Sequence, residues 1–312
     1  PAIAHRQIRR GGTVGGVCAA KVSEAEVMVH GGISSVFITS EIVEPMKIAR
    51  LAALADQAEM LVACDQASNA RDLSKAAQAR GVEINVVIEL ETGLRRCGVR
   101  EINAGVALAK EISSLPGLRF RGVMSHQALR GYKGEDDRIE TARVTIQVCL
   151  DAKEAIEAEG IDVEIVSSGE TFSHDVACDM DGVTEVEGGT YALMGTIYGF
   201  MEKFAIANKV LSTIVSKPDD KTAIGDVGFR GLSWMKDNLP SVEGYDNIRV
   251  KNLLEDHIVL ESDGSMPLDV GQQFVILPYY QDIMVNRWDD FIVVRNGAVE
   301  DVWDIPGRGG FH

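Results

Sequence analysis

The first two-thirds of the chain alternates short apolar runs with longer amphipathic segments, and this alternation constrains the fold most. Runs such as Ser35–Thr39 and Ile84–Leu90 are rich in the β-branched and aromatic residues that favour strands. Segments such as Ser68–Arg80 carry helical apolar spacing and are followed by Gly81, a helix-ending residue. About seven such units, the last with a strand at Val183–Val186, follow one another roughly every 25–30 residues. This pattern predicts a parallel sheet covered by helices.

Two architectures contain such a sheet, and one feature favours the second. An open doubly wound sheet usually carries a glycine-rich first turn, and the sequence has no Gly-x-Gly-x-x-Gly motif. A closed barrel needs eight βα units. The first helical segment, residues 2–9, has no strand before it. We therefore expect an α/β fold, a (β/α)8 TIM-type barrel whose first βα unit is missing from the sequence given.

The pattern changes near Lys209, where strands of alternating polarity replace the β/α units. They are predicted over residues 210–216, 222–226, 257–261, 273–277, 291–295 and 298–303. Asn296-Gly297 is typical of a tight turn between two antiparallel strands. We therefore expect two domains, the barrel over residues 1–207 and a C-terminal mainly-β domain over residues 208–312.

The composition excludes some classes of partner. Asp and Glu number 47 against 31 Lys and Arg, and the resulting charge of −16 would repel a nucleic-acid backbone. No apolar stretch reaches the roughly 20 residues of a membrane helix, and no leader peptide is visible. The five cysteines form no Cys-x-x-Cys pair, which is typical of reduced thiols. We expect a cytoplasmic protein with no nucleic-acid or membrane partner.

Functional residues of a barrel gather where its strands end. Ser167-Ser168-Gly169 and Gly188-Gly189-Thr190 follow two predicted strands, and their small and hydroxyl side chains are typical of a turn that binds an anion. Two ordinary glycine turns would explain them equally well. Arg96 and His126 also follow strands and could face a bound ring or acid group. A structural ion pair and a structural histidine are the alternatives.

Six segments, taken in order, resemble the D-threonine aldolase/D-serine dehydratase family, which shares the barrel of alanine racemase. They are Gly16–Glu26, Gly93–Val99, Arg121–Tyr132, Glu164–Gly169, Val183–Tyr191 and Val299–Trp303. The likeness covers nearly the whole chain and rests on the ordered set. It implies a fold type III pyridoxal-phosphate enzyme that acts on a small amino acid as a homodimer.

The resemblance also implies residue roles. The cofactor phosphate would be held by Ser168, Gly169, Thr171, Gly189 and Thr190. His126 would lie near the face of the pyridine ring, and Arg96 beside the phenolic oxygen or the substrate. Glu187 would face the ring nitrogen, where a carboxylate keeps that nitrogen protonated and favours carbanion chemistry.

The lysine that forms the Schiff base is expected upstream of Pro1, because Pro1 matches the proline that opens the first helix in this family. Lys21 is the rival, as the visible lysine at a predicted strand end.

The sequence departs from the family at the metal site. Relatives carry His-x-Cys or His-x-Asp after a Leu/Ile-Pro pair, and these residues bind a divalent cation that polarises the substrate hydroxyl. Here Ile276–Asp282 has Tyr280 in place of the histidine and keeps Asp282 as a hard oxygen ligand. Either Asp282, with help from His257, holds Mg²⁺ or Mn²⁺ weakly, or metal assistance is lost. We expect no tightly bound metal.

The activity implied is that of a lyase. It would cleave the Cα–Cβ bond of a β-hydroxy D-amino acid by a retro-aldol reaction, giving glycine and an aldehyde. A D-serine or 3-hydroxy-D-aspartate dehydratase that releases ammonia, an amino-acid racemase and a non-enzymatic cofactor-binding protein are the alternatives.

Overall fold

The computed structural model describes residues 1–11, 15–127, 134–232 and 238–311. The chain forms two units, residues 1–189 together with the chain end from Gly310, and residues 190–309. The domain limits expected from the sequence, 1–207 and 208–312, stay a prediction. In the described ranges, no helix is both long and apolar enough to cross a membrane.

The first unit is a six-stranded parallel sheet with its strands in sequential order. The strands are β1 (Val17–Ala19), β2 (Ser35–Ile38), β3 (Glu59–Cys64), β4 (Ile84–Glu89), β5 (Leu118–Ser125) and β6 (Ile165–Ser168). The helices are α1 (Ala2–Arg9), α2 (Val22–His30), α3 (Pro45–Leu54), α4 (Ala67–Arg80), α5 (Ile102–Ser114), α6 (Glu135–Glu157) and α7 (His174–Cys178). These parallel strands, joined through helices, form a half-barrel with one strand fewer than the seven predicted, and together with the antiparallel second unit described below they confirm the predicted fold class.

The two faces of this sheet pack differently. One face contacts the helices and carries the larger apolar core, to which Val86 and Ile88 of β4 belong. The opposite face, called the inner face here, carries a smaller cluster that includes Val87 and Met124. Because side chains alternate along a strand, Glu89 and Ser167 also point to the inner face.

The predicted strand at Val183–Val186 does not form as a strand. Glu185 makes a single parallel bridge with Ser167. The Thr184 hydroxyl accepts the backbone N–H of Val166 at 2.9 Å, a donor that a longer strand pairing would use. A side chain thus competes with the backbone, and the pairing stops after one bridge.

The second unit is antiparallel. Its strands β7 (Val210–Ser216), β8 (Thr222–Gly225), β9 (Ser241–Val242), β10 (Ile248–Leu253), β11 (Ile258–Ser262) and β12 (Gln273–Leu277) form a sheet in the order β10-β11-β8-β7-β12-β9. The short α8 (Gln281–Val285) follows β12, and β13 (Asp290–Arg295) pairs with β14 (Ala298–Asp304). Asn296 and Gly297, with φ of 50° and 79°, form the predicted turn between them.

Candidate functional site

Polar side chains collect on the inner face where β4, β5 and β6 end. Arg96 follows β4, His126 follows β5, and Glu170 follows β6. Burial lowers the pKa of His126 and raises the pKa of Glu170 and Glu187, and the charge of Arg96 adds to the first shift and opposes the other two. Arg96 is therefore the cation around which these groups are arranged.

A tight turn presents Arg96. The carboxylate of Glu91 accepts the backbone N–H of Arg95 at 2.7 Å, and Arg95 adopts a left-handed φ of 56°. The N–H of Gly98 donates to Asp65 at 3.0 Å and ties the turn to the end of β3. A Cβ on Gly98 would lie 2.7 Å from the nitrogen of Glu91, so only glycine fits this close approach.

His126 and Glu170 form a hydrogen-bonded pair. Nδ1 of His126 lies 3.1 Å from Oε1 of Glu170, which also accepts the backbone N–H of Gln127 at 2.9 Å. Burial lowers the pKa of His126 to about 4, and burial raises the pKa of Glu170 to about 8. Burial therefore favours the uncharged form of both groups at neutral pH, and the two face each other across this hydrogen bond.

Glu187 lies between two donors. The Ser167 hydroxyl donates to Oε1 at 2.7 Å, and the Cys18 thiol donates to Oε2 at 3.7 Å. Burial raises the pKa of Glu187 to about 7, helped by the nearby charge of Glu185. Burial and these two carboxyls also raise the pKa of Cys18 far above its ordinary value. Near pH 7 the charge of Glu187 will therefore respond to a ligand that faces it.

The loop after β6 places the predicted phosphate ligands unequally. Gly169, with φ of 109°, packs against α7, and the buried Thr171 follows it. The Ser168 hydroxyl lies 2.9 Å from Ser125 Oγ, and both contact Cys149 of α6 on the helix side of the sheet. The structure thus brings Gly169 and Thr171 to the end of β6 and turns the Ser168 hydroxyl away from the inner face.

The other two predicted phosphate ligands are consecutive residues, the last of the first unit and the first of the second. Gly189 is exposed, and a Cβ placed there would have no atom within 4 Å among the residues that the structure describes. Thr190 begins the second unit, in a short 3-10 turn over Thr190–Ala192.

A buried arginine holds the loop after β6 in place. Arg138 of α6 is 2% exposed and donates to the carbonyl oxygen of Phe172 at 2.5 Å. It also donates twice to Asp175 of α7, at 2.8 and 2.7 Å, and twice to Glu135, at 3.0 and 2.6 Å. The ion pair lowers the pKa of Asp175 to about 2. The first turns of α6 and α7 are therefore fixed by one side chain.

The surroundings of Asp282 do not suit a divalent cation. Burial raises the pKa of Asp282, and the Tyr280 phenol is hydrogen-bonded to it. Tyr198 packs near Tyr280, with ring centroids 6.3 Å apart. Across the described ranges, no three His, Cys, Asp or Glu side chains group together as a metal site would require. His257 is exposed and interacts electrostatically with Asp226.

Lys21, the rival anchoring residue, lies at the N-terminus of α2, and its Nζ is 4.6 Å from the ring centroid of Phe311. Glu41 and Glu170 were not among the site residues predicted from the sequence. Both follow strand ends, the same signal that selected Arg96 and His126. A carboxylate in a loop usually faces solvent, so residue type gave no reason to choose them.

Comparisons with known proteins identify the family to which the chain belongs. A family model described as the alanine racemase N-terminal domain matches residues 3–196, and one described as a putative serine dehydratase domain matches residues 207–294. The 3-hydroxy-D-aspartate aldolase of Paracoccus denitrificans (strain Pd 1222) is 34% identical over 96% of this chain and 80% of its own. The D-threonine aldolase of Arthrobacter sp is 32% identical over 99% of this chain and 83% of its own.

A solved structure extends the likeness to three dimensions. The crystal structure of D-threonine aldolase from Filomicrobium marinum matches with a TM-score of 0.95 at 33% identity, covering 100% of this chain and 86% of that one. A D-threo-3-hydroxyaspartate dehydratase of Delftia sp. (strain HT23) is more distant, at 29% identity over 54% of this chain and 46% of its own. The resemblance seen in the sequence is confirmed, and the chain belongs to the alanine racemase N-terminal domain family.

Proposed function

We propose that this chain is a pyridoxal-phosphate lyase that splits a β-hydroxy D-amino acid into glycine and an aldehyde by a retro-aldol reaction. The observation that carries the proposal is the grouping of Arg96, His126 and Glu187 at the strand ends, in a chain similar to aldolases over nearly its whole length. The dehydratase relative is less similar in sequence, at 29% identity over 54% of this chain, than the two aldolases at 34% and 32% over 96% and 99%, and this difference favours cleavage of a carbon–carbon bond over loss of water.

The chemistry of the inner face suits the cofactor that the family implies. Gly169 and Thr171, with Gly189 and Thr190, would hold the phosphate, whereas Ser168, whose hydroxyl lies on the helix side of the sheet, would make no side-chain contact with it. Arg96 would face the phenolic oxygen, His126 the ring and Glu187 the ring nitrogen. When bound, the cofactor would provide an electron sink for the pair of electrons that the broken Cα–Cβ bond leaves on Cα.

The chain's own residues would set the proton positions. Glu187, whose pKa lies at about 7, would share a proton with the ring nitrogen, while Ser167 fixes the orientation of its carboxyl. The neutral His126, held by Glu170, would pack against the ring without adding a positive charge. Arg96 would balance the phenolate.

Three further parts of the proposal come from the sequence. The resemblance implies that the covalent anchor would be the lysine expected before Pro1, with Lys21 as the rival. The change of pattern near Lys209 would set the domain limits at 1–207 and 208–312, and the cysteine usage would suit a cytoplasmic protein. A weakly bound Mg²⁺ or Mn²⁺ at Asp282 has no support from the side chains around it, and no step is assigned to such an ion.

We also propose that the protein is a homodimer. The hairpin of β13 and β14 exposes Ile292, Val294, Val299 and Val302, each by 51% or more. Apolar side chains concentrated in one exposed hairpin are typical of an interaction surface.

Product analysis tests the reaction. The full-length holoenzyme is incubated with D-threonine and, separately, with D-serine. Acetaldehyde and glycine from D-threonine support the proposal. Pyruvate and ammonia from D-serine would instead identify a dehydratase, and the appearance of only the L-enantiomer would identify a racemase.

Two arginine variants locate the reaction in the candidate site. We expect Arg96→Gln to lower kcat/KM by about 10²-fold, the loss seen when a preorganised donor is removed. Arg100→Gln changes an exposed arginine of the same loop and is expected to leave kcat/KM nearly unchanged. Equal effects of the two changes would contradict the role given to Arg96.

A further inference from the structure

Two carboxyl groups meet behind Arg96. Glu89, the last residue of β4, is 2% exposed, and Arg96 donates to its Oε1 at 3.3 Å. Glu41 lies between β2 and α3, and its side chain is hydrogen-bonded to that of Glu89. Arg96 and Cys97 of the loop after β4 and Cys64 at the end of β3 also interact with this pair, and Asp65 interacts with the two cysteines.

The Glu41 and Glu89 carboxyl groups lack a hydrogen-bond donor. Glu41 Oε1 and Glu89 Oε2 are buried, and in the described part of the chain no donor reaches either atom. Two ionised carboxylates cannot donate to each other, and their charges repel. A single proton between the two side chains would supply the missing donor and leave the pair with one negative charge. Burial and Glu41 also raise the pKa of Glu89, which agrees with a proton retained at neutral pH.

We propose that Glu41 and Glu89 act as one acid that shares a single proton and positions Arg96 with a single negative charge. Both are positioning residues, and their importance for catalysis rests on the proposed function, in which Arg96 faces the cofactor or the substrate. A guanidinium has five N–H donors, and Glu89 accepts one of them here. A singly charged pair therefore orients Arg96 while leaving donors and positive charge for a bound anion. Two full negative charges would compete with that anion.

Infrared difference spectroscopy of the full-length protein tests the shared proton. A protonated carboxyl has a C=O stretching band that is separate from the bands of carboxylates and amides. Glu41→Gln and Glu89→Gln should each remove the same band component, because each leaves a single carboxylate that accepts from an amide. The double variant should remove no more than either single variant, since the two residues share one proton.

The control is Glu101→Gln, which changes an exposed glutamate at the start of α5 and should leave the band intact. The pair's component should also vanish as the pH is raised in the wild type. Persistence of this component in a folded Glu41→Gln protein, or an additional loss in the double variant, would overturn the proposal. Circular dichroism checks that each variant is folded. If Glu89→Gln does not fold, the loss of the band in Glu41→Gln, which changes a loop residue, tests the proposal on its own.

The spectrum does not depend on turnover, so the two proposals fail separately. A protein with the shared-proton signature and no aldolase product would leave the carboxyl pair established and refute the reaction. A protein with aldolase activity and without the signature would establish the reaction and refute the shared proton.

Discussion

At the scale of single residues, burial sets the charge of the groups on the inner face. His126 and Glu170 are adjacent and would form an ion pair in water, yet burial favours the uncharged form of each. Glu187 has a pKa of about 7 for the same reason. The inner face therefore carries fewer charges at neutral pH than its residue types suggest.

This charge state makes a prediction for His126. Its pKa of about 4 means that the imidazole is neutral above that value and becomes charged only as the pH falls through it. The ring protons of His126, followed by NMR, should therefore titrate near pH 4. Titration of His126 near its ordinary value of 6.5 would contradict a half-buried imidazole that is neutral at pH 7.

The sequence indicated which loops contain the site and left its contacts undetermined. The strand-end rule selected Arg96 and His126, and the structure brings them together with Glu170. The rule gives no side-chain direction, so it could not place the Ser168 hydroxyl on the helix side. Nor could it pair Glu41 with Glu89, since that contact joins the loop after β2 to the end of β4, a strand that does not neighbour β2.

At the scale of secondary-structure elements, the loop after β6 depends on the helices on either side of it. Arg138 joins α6 to α7 through a carbonyl and two carboxylates. Removing one partner of a buried ion pair leaves the other uncompensated.

We expect Arg138→Ala to lower the free energy of unfolding by about 3 kcal/mol, measured by urea denaturation. Arg143→Ala is the matched control, because Arg143 lies on the same helix with its side chain exposed. Its effect should stay within about 0.5 kcal/mol. If Arg138→Ala were as mild as the control, the network would not stabilise the loop.

The two glycines of the proposed phosphate cradle offer a second test. Gly169→Ala should destabilise the protein, since its φ is 109° and a Cβ would lie 2.6 Å from that of Ala177. The new Cβ of Gly189→Ala would have no atom within 4 Å among the described residues, so this change should leave the unfolding midpoint unchanged.

If Gly189 holds the phosphate, Gly189→Ala should still weaken binding of pyridoxal phosphate, measured by absorbance titration, more than binding of pyridoxal. Equal weakening of both would contradict a phosphate contact there.

Most elements were predictable because their sequence pattern is local. β7 and β12 have the predicted limits, and the Asn296-Gly297 turn joins the predicted hairpin. β10 was missed because a bulge between Val250 and Asn252 breaks its alternation, and β9 has only two residues. Neither run of alternating residues is long enough to predict a strand unless the strand that pairs with it is known.

At the scale of the whole molecule, the buried carboxyls affect stability. Their raised pKa values mean that the folded protein holds protons that the unfolded chain releases above about pH 4.3. For Glu170 and Glu187, this contribution is full below their ordinary pKa of 4.5 and is lost as the pH rises through about 8 and about 7.

We therefore expect the thermal midpoint of the cofactor-free protein to fall between pH 5 and pH 8. Glu170→Gln should reduce this slope, because one of the retained protons is removed. Glu101→Gln should leave it unchanged. A midpoint that rises over this range would be inconsistent with protonated carboxyls in the folded state. At the acidic end, Asp175 contributes stability that is lost as the pH falls through about 2.

The exposed hairpin makes a prediction about assembly. Val294→Lys combined with Val299→Lys should shift the protein from dimer to monomer in sedimentation velocity, because two charges would enter an apolar contact. Val270→Lys, at an exposed valine near the turn before β12, is the control and should leave the dimer intact. A wild-type protein that sediments as a monomer would refute the homodimer.

The protons retained by the carboxyls of the inner face also affect the measurement of ligand binding. A ligand that changes the charge near Glu187 or Glu170 will move hydrogen ions between the protein and the surrounding buffer. The heat recorded by calorimetry then includes the ionisation enthalpy of that buffer. Titrations in phosphate and in Tris would give different heats for the same complex. The number of hydrogen ions exchanged on binding follows from the difference between the two heats.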